Sequence, residues 1–313
     1  MSTPAIVVTN LVKTFGSRLR SIRAIDDLSF TVQRGSIFGL LGPNGAGKTT
    51  TLRIMTTLAR PTAGRVEVLG YDVVGAPLEV RRRIGVVIQD QAADLLLNVR
   101  DNLLTFARFH GRTGPAVRAR ADGVMTRFGI ADVADRKVQD LSGGIRRRVQ
   151  VAKMFMIDAP IMFLAEFSSG MDAILKRAVM DMLRAEAAAG RTIVLTTQIL
   201  SEAEALCDDI LIMNNGRRVA RGSVPALKEL AGRLHDVTIT LDQIPPELPA
   251  IAARYQPERF AVQHHTIQFQ LRGEEARVLE LVSELGRQAR ILHLEITGAS
   301  LEDVFVQLTK AEP

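Results

Sequence analysis

The chain has 313 residues and a single cysteine, Cys207, so no disulfide can close within it. That suits a reducing compartment. No run of about 18 apolar residues occurs, and no membrane-crossing helix is expected. The most apolar-looking stretch, Met154 to Phe167, is broken by Asp158, Pro160 and Glu166. The opening residues, MSTPAIVVTN, have neither a charged n-region nor an apolar h-region, so no signal peptide is expected. Tryptophan is absent and aromatic residues make up only 4%. No basic tract is interleaved with aromatics in the way that stacks on single strands. The net charge of +6 permits an anionic partner. The basic residues are dispersed, however, except at Arg81-Arg82-Arg83 and Arg146-Arg147-Arg148. Those clusters read as solvated helix faces or phosphate-facing groups, and no nucleic acid is expected as a partner. The five histidines (His110, His235, His264, His265 and His293) lack metal-ligand spacing with Cys or carboxylates.

Hydrophobic residues make up 47% of the chain, ample for a core, and the length suggests two domains. Four continuous apolar runs read as strands of a sheet covered on both faces: 36–41, 84–88, 161–164 and 192–196. Between 88 and 161 the spacing turns helical, at Val99 to His110 and Ala116 to Phe128, as in a helical insertion of about 95–158. Asn214-Asn215-Gly216 between apolar segments reads as a tight hairpin turn. A break follows Gly232. The remainder alternates short strands (235–241, 266–271, 291–296) with helical patterns ending at Tyr255 and spanning Glu274 to Gln288. Ser300-Leu301-Glu302-Asp303 has the pattern of a capping box opening a last helix. The expected domains are therefore 1–232 and a small α+β domain at 233–313.

The strongest motif is Gly42-Pro-Asn44-Gly45-Ala-Gly47-Lys48-Thr49, which fits G-x-x-x-x-G-K-[ST]. It follows the apolar run 36–41 and precedes a helical pattern from Thr50, the context a phosphate loop requires. Its backbone N–H groups and the helix dipole would cradle phosphate. Lys48 would reach the terminal phosphates, and the Thr49 hydroxyl would ligate Mg²⁺. Leu141-Ser142-Gly143-Gly144 opens a second helical pattern, from Ile145 to Met156. It is a second anion-binding helix start about 100 residues on.

The order of these motifs resembles the ATP-binding subunits of ABC transporters, over roughly residues 5 to 230. GPNGAGKTT looks like their Walker A loop, and Gln89 matches the Q-loop glutamine. LSGG followed by IRRRVQVAK resembles the signature helix, IMFLAE the Walker B strand, and Ser168 to Asp172 the D-loop. The stretch from Thr196 to Asp208 looks like the switch region. Phe15 matches the aromatic that stacks on adenine. SLEDVFVQLT at 300–309 is similar to the end of the daunorubicin-resistance-like branch, whose members serve ABC-2-type permeases.

The resemblance implies an α/β P-loop NTPase fold: a RecA-like core, a β-subdomain and a helical subdomain, with the α+β domain appended. It also implies ATP and Mg²⁺ as cofactors, with Thr49 and Gln89 at the metal. A dimer of ATP-binding subunits and a separate ABC-2-type permease are the implied partners, at the cytoplasmic face of the cell membrane. Nucleotide would meet Phe15, Gly42, Asn44, Gly45, Gly47, Lys48, Thr49 and Thr50 of one chain. Ser142, Gly143 and Gly144 of the other chain would reach the γ-phosphate, and Asp172 would bridge the dimer. Glu166 would be the general base, with Gln198 and Gln89 as the other catalytic groups.

Several positions depart from the pattern. Ala165 stands where the Walker B Asp belongs, Gln198 where the switch His belongs, and Ile145 where a polar residue follows LSGG. Phe167 and Ala173 replace prolines. Loss of an outer-shell magnesium partner costs about 10–100-fold, or roughly 1.4–2.8 kcal/mol. Two functions stay open: an ATPase that energises an exporter with weakened hydrolysis, or a non-hydrolysing ATP-binding regulatory subunit. A soluble relative acting in translation or DNA repair fits less well, since there is one Walker A loop and no coiled-coil insertion. Cys207 reads as packing. Glu202 and Glu204 read as a solvated helix face.

Overall fold

The computed structural model describes residues 3–17, 20–87, 93–230, 232 and 234–310. They form two compact units, Met1–Arg221 and Gly222–Pro313.

The first unit begins with strands β1 (Ile6–Ser17), β2 (Arg20–Val32) and β3 (Ile37–Leu41), followed by helix α1 (Lys48–Met55). Strands β4 (Ala63–Val68) and β5 (Tyr71–Asp72), helix α2 (Pro77–Arg81) and strand β6 (Ile84–Val87) come next. Helices α3 (Val99–Phe109), α4 (Pro115–Arg127) and α5 (Gly143–Lys153) fill the interval where helical spacing was expected. Then β7 (Ile161–Ala165), α6 (Ala173–Ala188), β8 (Thr192–Thr197), α7 (Leu200–Leu206), β9 (Asp209–Asn214) and β10 (Arg217–Gly222) complete the sheet.

Two sheets share one apolar core. The larger has the order β10-β9-β3-β8-β7-β6, with β9, β3, β8, β7 and β6 parallel. Every residue of β3, β7 and β8 is buried. That is why these strands read as unbroken apolar runs rather than alternating ones. The smaller sheet, β2-β1-β4-β5, is antiparallel. Ile6, Leu11, Val32 and Val66 from it pack in the same cluster as Phe38, Leu40, Leu52 and Phe163. Phe30 and Phe38 stack across the two sheets at 5.3 Å. The expected hairpin turn joins β9 to β10, with Asn215 at φ +46° and Gly216 at φ +77°. Two successive left-handed residues are the signature of a tight two-residue hairpin.

The second unit runs α8 (Val224–Leu230), β11 (Leu234–Leu241), α9 (Leu248–Tyr255), β12 (Arg259–Gln263), β13 (Thr266–Arg272), α10 (Glu275–Gln288), β14 (Ile291–Gly298) and α11 (Leu301–Lys310). Its antiparallel sheet has the order β12-β13-β11-β14. Val237, Ile239, Ile267 and Phe269 pack against Leu248 and Ile251 of α9 and Val278, Leu281 and Leu285 of α10. The capping box at 300–303 forms: the Ser300 N–H donates to the Asp303 carboxylate (2.9 Å), and the Asp303 N–H donates to Ser300 Oγ (3.2 Å).

Candidate active site

The chain leaves β3 at Leu41, turns through Gly42 to Gly47 and enters α1. Gly47 has φ +99°, and a Cβ there would stand 2.6 Å from the Ala24 carbonyl oxygen. Only glycine fits a left-handed residue pressed against another backbone. Lys48 follows and is 7% exposed. Its ammonium donates to the carbonyls of Gly42 (2.7 Å) and Pro43 (2.9 Å). Burial lowers its pKa, and the Glu166 carboxylate pulls the other way.

A cavity of about 480 Å³ opens on this loop. Asn44, Gly45, Gly47, Lys48, Thr49 and Thr50 line one side. Glu166 enters from just beyond β7, and Thr196 and Gln198 from the end of β8. Strands β3, β8 and β7 are neighbours in the parallel sheet, so the site gathers at their carboxyl ends, where open α/β sheets place ligands.

Glu166 is held on three sides. Its φ of +48° is left-handed, a conformation that costs a non-glycine residue about 1–3 kcal/mol and persists only where neighbours enforce it. Its N–H donates to the Thr196 carbonyl (2.8 Å). One carboxylate oxygen accepts from Gln198 Nε2 (2.8 Å). Its own carbonyl accepts from Arg147, with Nη2 at 2.9 Å and Nε at 3.2 Å. Ala165, just before it, is 3% exposed and belongs to the apolar cluster.

Of the two expected magnesium ligands, Thr49 lines this cavity. A hydroxyl oxygen there is the kind of hard donor that Mg²⁺ takes beside phosphate and water. Gln89 lies outside the described residues.

The signature residues are placed apart from the phosphate loop. Ser142 caps α5, its Oγ accepting from the Ile145 N–H at 3.4 Å. Gly143 and Gly144 line a second cavity of about 360 Å³, together with Arg147, Ser169, Gly170 and Glu166. Glu166 therefore borders both cavities. Asp172 serves within its own chain: it caps α6 through the Leu175 N–H (2.9 Å) and pairs with Arg148 (3.0 Å). Phe15 lies across the β1–β2 ladder from Ile22, a cavity residue, with the Lys13 ammonium 4.8 Å from its ring.

Several lining residues had no mark in the sequence. Ile22, Arg23 and Ala24 belong to β2, and Asn215 to the β9–β10 turn. Only the fold places them there: the Gly216 N–H donates to the Ala46 carbonyl (3.2 Å) and docks that turn on the phosphate loop.

Two expectations need correcting. The arginine cluster on α5 is not a solvated face: Arg147 is buried and donates to the Glu166 carbonyl. Arg81 and Arg82 are exposed, as a solvated face requires, and Arg82 and Arg83 bond Glu79 at 2.9 and 2.6 Å. Glu202 is 3% exposed rather than on a solvated face. It accepts from Ser168 (2.8 Å) and Thr197 (3.3 Å) and lies 3.3 Å from the Lys176 ammonium, so it ties the D-loop-like segment to the end of β8. Of the two acids on the short α7, Glu202 turns inward, where Ser168 and Thr197 are themselves buried, while Glu204 is half-buried.

The ABC transporter family model matches residues 25–169. The Nod factor export ATP-binding protein I of Ralstonia nicotianae is 36% identical over 318 residues, 99% of this chain and 95% of that protein. The daunorubicin/doxorubicin resistance ATP-binding protein DrrA of Streptomyces peucetius is 35% identical over 334 residues, 98% of this chain and 93% of that protein. Among solved structures, an ATP-binding subunit of an ABC transporter superposes with a TM-score of 0.66 at 25% identity, over 72% of this chain and 92% of that one. A cassette solved as a dimer bound to ADP and Pi shares the fold, with a TM-score of 0.65 at 24% identity over 70% and 98% of the two chains. With the phosphate loop, the carboxylate and the parallel sheet already in place, these likenesses show that the chain belongs to the ABC transporter family, as one of its ATP-binding, ATP-hydrolysing subunits.

Proposed function

We propose that this subunit powers an ABC-2-type membrane exporter from the cytoplasmic face of the cell membrane, as a dimer of ATP-binding subunits. The observation that carries the reading is the gathering of Lys48, Thr49, Glu166 and Gln198 around one cavity at the ends of three parallel strands. Two relatives aligned over nearly the full chain are named for export, one of a Nod factor and one for daunorubicin and doxorubicin resistance. They support an exporter as the partner. No described helix is long and apolar enough to cross a membrane, which accords with a separate permease.

The chain's own groups divide the work. Gly42, Asn44, Gly45, Gly47 and Thr50 shape the cradle, whose N–H groups and helix start attract phosphate. Lys48 would exchange its two carbonyl partners for the terminal phosphates. Glu166 would take the proton of the attacking water as general base, and Gln198 steadies its carboxylate. Ser142, Gly143 and Gly144 would close on the partner subunit's γ-phosphate, and Phe15 would meet the adenine. Thr49 and Gln89 would hold Mg²⁺, which would supply positive charge against that developing on the phosphates. Glu166, aimed into the cavity and held by Gln198, favours this hydrolytic reading over a purely regulatory one.

The test is ATP hydrolysis by the purified chain beside Lys48→Ala and Glu166→Gln. The reading expects turnover in the wild type and at least about a hundredfold loss in each variant. Equal rates in all three would refute it.

A further inference from the structure

The three consecutive arginines of α5 each hold a different segment. Arg146 donates to the carbonyls of Leu141 (2.9 Å) and Gln139 (2.6 Å), fixing the loop that leads into its own helix. Arg148 pairs with Asp172 (3.0 Å), at the start of α6. Arg147, 8% exposed, turns to the last residue of β7 and the one after it. It donates to the carbonyls of Ala165 and Glu166, and its Nη1 to Gln150 Oε1 (2.8 Å). A guanidinium carries five donors in a rigid fork, and this one aims Nε and Nη2 at the backbone carbonyl of Glu166 while Nη1 holds Gln150.

A second contact joins the same two segments. A Cβ on Gly144 would lie 2.7 Å from the Gly170 carbonyl oxygen, and one on Gly170 would lie 2.7 Å from the Gly144 Cα. Here the helix start and the segment after Glu166 touch backbone to backbone. With Arg147 and Arg148, the N-terminal half of α5 and residues 165–172 are tied at three points.

We propose that Arg147 is a positioning residue that makes the geometry of Glu166 depend on the seating of α5, so that closure of Ser142–Gly144 on the partner subunit's nucleotide sets the base in this chain's own site. This rests on the reading of Glu166 as general base and of Ser142–Gly144 as the surface that closes in trans. Glu166 has a left-handed backbone that its neighbours must enforce, and Arg147 is the neighbour that grips its carbonyl. A small shift of α5 would pass through the fork to that carbonyl and swing the carboxylate. Displacement of a reacting group by about 1 Å is enough to cost roughly a hundredfold in rate.

The test compares Arg147→Met, which keeps the apolar stem and removes every donor, with Arg147→Gln, which keeps one amide. Both are full-length chains, with folded fraction checked by circular dichroism melting. The expected result for Arg147→Met is a kcat lowered by about tenfold or more, with the Kd of a fluorescent ATP analogue within about twofold of wild type. The Hill coefficient for turnover against ATP should fall from above 1 in the wild type to about 1, and Arg147→Gln should fall between. Wild-type kcat in Arg147→Met, or a lowered kcat with an unchanged Hill coefficient, overturns the proposal. Glu166→Gln run in parallel separates the two levels. If it retains turnover, the base assignment fails. If it is inactive while Arg147→Met is normal, only the link through Arg147 fails.

Discussion

At the scale of single residues, the cavity holds one carboxylate, Glu166, the proposed base, with an alanine just before it. Ala165 closes β7 within the apolar cluster, so the place where relatives' pattern puts an aspartate offers no oxygen. Mg²⁺ would depend on Thr49, Gln89, phosphate and water. Restoring the carboxylate with Ala165→Asp should raise ATP turnover by about tenfold or more at limiting Mg²⁺. The same rate at every Mg²⁺ concentration would remove magnesium from the account. Gln198 donates its amide to the Glu166 carboxylate at 2.8 Å. If Glu166 acts as the proposed base, Gln198→Ala should lower kcat by about tenfold with little change in ATP affinity, since the lost contact orients that carboxylate. A rise in KM at constant kcat would assign Gln198 to binding instead. Cys207, by contrast, is packing: it is buried, a Cβ on Gly39 would meet its sulfur at 2.8 Å, and burial pushes its thiol pKa up.

At the scale of elements, α5 carries the most consequence for its length. Its start docks on Gly170, its middle grips Glu166, and its last residue, Lys153, is held beside the Phe106 ring (4.8 Å). Burial lowers the Lys153 pKa from 10.5 to about 8, partly offset by Asp94. The folded state therefore binds this proton less tightly than the unfolded chain does. Between pH 8 and 10.5 the unfolded chain holds the proton while the folded one has released it, so the Lys153 contribution to stability rises with pH across that window. Urea melts should show wild type gaining on Lys153→Met from pH 8 to 10.5; a difference that stays flat would mean that the ammonium is not desolvated. The helix itself was legible from its cap and spacing, as were the buried strands and the capping box at Ser300. What was not legible were faces. Spacing placed Glu202 on a helix but could not tell that Ser168, Thr197 and Lys176 cover it. A run of three arginines reads as exposed charge until the fold supplies the carbonyls of Leu141, Ala165 and Glu166. The phosphate loop was legible because its residues are consecutive. Ile22, Arg23, Ala24 and Asn215 were not, because long-range pairing brings them to the cavity.

At the scale of the whole molecule, the open variable is how two chains share two sites. In a homodimer each site carries Ala165 and Gln198 from one chain and Ile145 from the other. In a heterodimer one site holds Ala165 and Gln198 while the other receives only Ile145, and a single site could carry the turnover. Symmetric pairing of like chains is the common arrangement, and the tie between α5 and Glu166 gives it a kinetic signature. Mixing wild type with Ala165→Asp in equal amounts makes about half the dimers mixed by random association. If each site acts alone, turnover should follow the mixing fraction in a straight line. If closure of one chain's signature helix sets its own base, the faster site should draw its neighbour with it, and the rate should bow away from that line, upward where the mixed dimer resembles the fast one. A chain that works only with a different partner would instead show no shift from monomer mass with ATP in light scattering, even as Glu166→Gln, where slowed hydrolysis should hold a closed homodimer together.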